Sequence, residues 1–76
     1  MSDTSEIRKA IKEILKKNNI DNKFSLKTVS FEGFGYGSKI FAEIKDIRSI
    51  ELDKRIKIID EIEELGKEMN FILYTN

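Results

Sequence analysis

A chain of 76 residues has room for one domain, read here as a single α+β domain over 1–76. It contains no cysteine and no histidine. That excludes disulfides, zinc sites built from Cys and His, and the side chains that most readily serve as neutral-pH acid–base catalyst and nucleophile. Apolar residues at 39% beside charged residues at 37% describe a folded, very soluble domain rather than a disordered tail, so stability must come from apolar packing, alone or with oligomerisation.

No apolar stretch approaches the roughly 18 residues of a membrane span. Met1 to Glu6 is polar, with no hydrophobic signal segment behind it, so the expected location is cytoplasmic. Formal net charge is zero, but residues 1–40 hold eight Lys/Arg against five Asp/Glu, and 41–76 hold six against nine. A bias of three charges in each direction is too small to announce a nucleic-acid binder.

The first predicted element is a helix over 4–18. Ile7, Ala10, Ile11, Ile14 and Leu15 fall at i, i+3, i+4, i+7 and i+8, one apolar stripe. Asp3 is placed to cap it, with Glu6 three residues on as in a capping box. Lys16 and Lys17 close it where the macrodipole favours cations, and Asn18 and Asn19 tolerate the left-handed turn that stops it.

Phe24–Phe31 and 39–45 read as strands, the second with Ile40, Ala42 and Ile44 on one face. Between them three glycines alternate with Phe34 and Tyr36, the connection of an antiparallel hairpin. A second helix is predicted over 50–69, with Leu52, Ile56, Ile59, Ile62, Leu65 and Met69 on its stripe and Ile58 widening it. Ser49 is the expected cap and Asn70 the expected stop. Gly66 inside the pattern marks either a close approach to the sheet or an early helix end. A last strand covers 71–75.

The order α-β-β-α-β with a right-handed crossover predicts a two-layer sandwich. Its antiparallel sheet has order 2-1-3, and both helices cover one face. Alternation then sets Lys27, Val29, Phe31, Phe41, Glu43, Lys45, Ile72 and Tyr74 outward. Apolar groups left uncovered in this number mark an interaction surface. The competing expectation is that the sheet curls or the loop folds back over them. Phe31, Phe34, Tyr36, Phe41 and Tyr74 are therefore the candidate partner-binding residues.

Catalysis is not expected. Asp60, Glu61, Glu63, Glu64 and Glu68 follow the flank of the second helix, where charges are ordinarily a solvated face. The loop Gly33 to Ser38 resembles a phosphate cradle but leads into a strand, where a P-loop leads into a helix. No metal, no cofactor and no membrane partner is expected.

Three partners are open: a protein docked on the free sheet face, a second copy on that face, or nucleic acid. The last would use Arg8, Lys9, Lys12, Lys16, Lys27 and Lys39, with sheet aromatics to stack bases.

The strand Lys23-Phe24-Ser25-Leu26-Lys27, the Gly37-Ser38 turn and the alternating strand from Lys39 to Asp46 are similar to a pattern in a small domain of large polyvalent proteins of phages and conjugative elements. The similarity covers the first helix and hairpin. It differs in having Ile44 where that strand usually carries Trp, and in lacking a Gly after Asp46. The resemblance carries over no catalytic residue. It implies a phage or mobile-element origin and, with it, a small protein that binds and inhibits a host defence protein.

Overall fold

The computed structural model describes residues 4–31 and 37–75. Helix α1 is Thr4–Lys17 and buries Ile7, Ile11 and Leu15 of the predicted stripe, with Ala10 and Ile14 half-buried at its margin. It ends on a left-handed Asn19 at φ 59°. The Ile20 N–H donates to the Leu15 carbonyl at 2.8 Å and the Asn19 N–H to that of Lys16 at 3.1 Å, so the turn satisfies carbonyls that the helix leaves open. Asn18 is buried and reinforces the stop, its Nδ2 donating to the Ile14 carbonyl at 2.8 Å.

Strands β1 (Phe24–Phe31) and β2 (Gly37–Ile44) form the expected antiparallel hairpin, in register from Phe24 opposite Ile44 to Phe31 opposite Gly37. Strand β3 (Phe71–Tyr74) then departs from expectation. It lies beside β2, parallel to it, with Ile40 opposite Phe71 and Glu43 opposite Tyr74. The sheet order is β1-β2-β3, not 2-1-3, and the sheet is mixed rather than all antiparallel.

The physical reason lies in strand composition. The hairpin strand with Ala42 and Ile44 is apolar enough to be buried at the centre, whereas Ser25, Lys27, Thr28 and Ser30 suit β1 to an edge. Between β2 and β3 the chain passes through a 3-10 turn, Ile47–Ser49, and helix α2, Leu52–Met69, which brings it back to the start of β2. That is a βαβ connection between adjacent parallel strands.

Two details of α2 also differ from expectation. Ser49 does not cap it; Glu51 holds the N-cap position without a side-chain bond, and the Ser49 hydroxyl donates instead to the Asp46 carbonyl at 2.7 Å. The buried seam is Ile58, Ile62 and Gly66, while Leu52 and Ile56 are each 59% exposed. Ile58 and Ile62 point toward the core, and positions 52 and 56 lie roughly a third of a turn away from that seam. Asn70 stops the helix as predicted, at φ 62°.

One core joins Ile7, Ile11 and Leu15 to Ile58 and Ile62, and to Ala42, Ile44, Phe71 and Leu73 of the sheet. Leu26 and Ile40 pack against it from the same side of the pleat. Gly66 resolves as a close approach. A Cβ there would sit 2.6 Å from the Phe71 carbonyl oxygen, so only a residue without one lets the end of α2 meet the start of β3.

Candidate binding surfaces

Two surfaces stand out, on different parts of the molecule. The first is the sheet face opposite the core. Along β3 burial alternates strictly, with Phe71 and Leu73 buried and Ile72 and Tyr74 exposed. The parallel register sets Phe41 beside Ile72 and Glu43 beside Tyr74, while the hairpin register sets Lys27 on the other side of Phe41. Ser25, Lys27, Val29, Phe41, Glu43 and Tyr74 line a shallow depression of about 380 Å³.

Phe41 and Tyr74 therefore come together on one face, with Phe41 half-buried and Tyr74 48% exposed. Phe31 ends β1, opposite Gly37. Phe34 and Tyr36 lie outside the described residues. Glu43 lines the depression as alternation predicts, whereas sequence reasoning missed Ser25; its pairing with Glu43 in the hairpin carries that signal.

The second surface is a groove of about 580 Å³ between α1 and the start of β1. Arg8, Lys12 and Lys16 reach it from successive turns of the helix, and Lys23 and Lys45 from the residues that flank β1 and β2. The last two are neighbours because the Lys45 N–H donates to the Lys23 carbonyl at 2.8 Å. Asn22 secures the junction, its Nδ2 reaching the Lys45 carbonyl at 2.9 Å and the Asp46 carbonyl at 3.0 Å.

The six cations proposed for nucleic acid are thus divided. Arg8, Lys12 and Lys16 share the groove, and Lys27 lies on the depression of the open face. Lys39, opposite Val29, belongs to the open face by alternation, and Lys9 lines neither surface. Lys45, which sequence reasoning placed on the outward face, lines a cavity there with Glu43 and Tyr74 and also reaches the groove; the pairing of 24 with 44 carries the second signal, since it sets 23 beside 45.

Among the described residues no helix is long and apolar enough to cross a membrane, and no group of three or more His, Cys, Asp or Glu is arranged to hold a metal. No family model, no curated protein and no solved structure matches the chain.

Proposed function

We propose that the chain is a small non-enzymatic protein-binding module, acting in a host cytoplasm through the sheet face that carries Phe41, Ile72 and Tyr74. In this reading both helices cover the other face in two layers and leave this one to a partner. The observation that carries it is the row of apolar groups set outward on β2 and β3 around an open depression. Aromatic side chains at the centre of such a patch, with Lys27 and Glu43 beside them, match the anchor-and-rim composition of protein interfaces. The phage or mobile-element setting, and a host defence protein as the target to be inhibited, rest on the resemblance of the hairpin to the polyvalent-protein domain.

The test compares the full chain with Phe41→Glu and Tyr74→Ala as bait in host lysate, with retained proteins identified by mass spectrometry. The expected result is one protein held by the parent chain and lost by both variants, with the same unfolding midpoint by circular dichroism. An unchanged set of retained proteins would remove this reading. Light scattering that gives a dimer mass for the parent chain and a monomer mass for Phe41→Glu would assign the face to a second copy instead.

A further inference from the structure

We propose that the groove between α1 and β1 is a docking site for an acidic, amphipathic segment of another protein. It is a second surface, separate from the open sheet face. Its floor is apolar. Leu15 and Ile20 are brought together by the turn that ends α1, and Phe24 lies half-buried beside them at the edge of the sheet. Among the described residues β1 pairs with β2 alone, so no further described strand covers this side.

Its rim is cationic. Arg8, Lys12, Lys16, Lys23 and Lys45 line the groove against a single carboxylate, that of Asp21. The chain as a whole is neutral, so this excess is local and not a consequence of composition. None of the five joins the ion pairs formed among the described residues, which link Lys17 to Glu61 and Lys67 to Glu64. Arg8, Lys12 and Lys16 also follow one another at i, i+4 on α1, a like-charge spacing that weakens a helix.

Solvation alone does not require five cations around an apolar trough. A ligand with carboxylates and apolar groups in one short segment answers both features. Its carboxylates relieve the mutual repulsion of the rim, and its apolar groups remove Ile20 and Phe24 from water. A nucleic-acid backbone would answer the rim and leave the floor unmatched, and this decides between the two.

The test is to pan a displayed random-peptide library against the full chain at low salt, then measure an enriched peptide by fluorescence anisotropy. Enriched sequences are expected to combine Asp or Glu with Leu, Ile or Phe, and their affinity to fall as salt rises. The Lys12→Glu/Lys16→Glu double variant should lose about tenfold or more in affinity, which is what removal of paired rim charges does. Ile20→Ala should weaken binding with no change of charge, whereas Lys9→Glu, on α1 but outside the groove, should leave affinity within about twofold because its charge lies off the contact. Unfolding midpoints of all variants are recorded beside the affinities.

Enrichment without acidic residues would overturn the proposal, as would equal losses for Lys9→Glu and the double variant. So would a single-stranded oligonucleotide that needs Lys12 and Lys16 when no acidic peptide is enriched. Sedimentation showing a dimer that the double variant dissolves would assign the groove to a second copy and overturn it too. The variants Phe41→Glu and Tyr74→Ala should bind the peptide normally, which separates failure here from failure at the sheet face.

Discussion

The two faces of strands β2 and β3 differ by one residue of register and by almost everything else. Ala42 and Ile44 are 1% and 4% exposed, while Ile72 and Tyr74 are 40% and 48% exposed. The same backbone hydrogen bonds hold both sets, so the difference is entirely one of what lies above each face. The core face meets isoleucine and leucine of α1 and α2, whereas among the described residues the other face leaves Ile72 and Tyr74 exposed. In a chain of this size the teaching is that alternation divides the strand: even positions of β2 hold the fold together, and odd positions face away from the core.

The largest test of that division falls on the core. Ile62 is fully buried and faces the sheet from α2. Ile62→Ala should cost about 2–5 kcal/mol, through lost burial and the cavity left behind. A domain of 76 residues has about 4–11 kcal/mol of stability at about 0.05–0.15 kcal/mol per residue, so this change removes a large share of it. Urea unfolding followed by circular dichroism measures it. A loss under about 1 kcal/mol would show that the core face is not packed as described.

Gly66→Ala comes next. Helix propensity alone predicts a gain of up to about 1 kcal/mol from removing glycine inside α2. The structure predicts the opposite sign, because the new Cβ would meet the Phe71 carbonyl oxygen at 2.6 Å, and that oxygen belongs to backbone at the start of β3. Moving it forces α2 and β3 apart, at about 1–3 kcal/mol for an overpacked contact. A stabilised variant in the same urea experiment would mean that α2 does not press on β3 there.

These residues also show how much was legible in the sequence. Helix α1 could be read to within a residue because Ile7, Ile11 and Leu15 share one face and Asn19 supplies a left-handed stop. The hairpin could be read from glycines between two strands of β-branched and aromatic residues. The strand order could not, because a helix returning from β2 can set β3 down on either side of the hairpin, and periodicity carries no lateral information. The usable signal was polarity: Ser25, Lys27, Thr28 and Ser30 mark an edge, and the central place then falls to β2.

Leu52 and Ile56 misled for a related reason. An apolar band wider than the contact it serves does not say which of its margins is buried. The open sheet face could be placed by alternation alone, but the basic groove could not. It draws Arg8, Lys23 and Lys45 from three separate stretches, and the end of α1 sets the distance between them.

A smaller effect is expected where the groove is fastened to the rest of the sheet. Asn22 donates to two carbonyls of the turn after β2 and lies 3.3 Å from the Ser49 hydroxyl. Asn22→Ala removes these contacts at a partly exposed site where water can replace them, so the loss should be about 1 kcal/mol. Hydrogen exchange should report it locally, as faster exchange of the Lys45 and Ser49 amides, both of which donate to backbone carbonyls. Unchanged exchange at both would show that the turn holds itself.

The smallest stability effect is predicted for the residue that best separates the two faces. Ile72 lies between Phe71 and Leu73, both buried, yet its own side chain is turned to the face opposite the core. Ile72→Ser keeps the backbone donor and acceptor that pair β3 with β2 and takes away a side chain that is 40% exposed and lies outside the core. Its cost should stay within about 0.5 kcal/mol, the range of surface substitutions away from special features. The same substitution one residue on, Leu73→Ser, sets a hydroxyl into the core and should cost several times more. Urea unfolding of the two variants side by side therefore measures the asymmetry of the sheet directly. Equal losses would mean that Ile72 is held by packing within the monomer, and a face so held is not free for a partner; a large difference leaves Ile72 in place for binding rather than for folding.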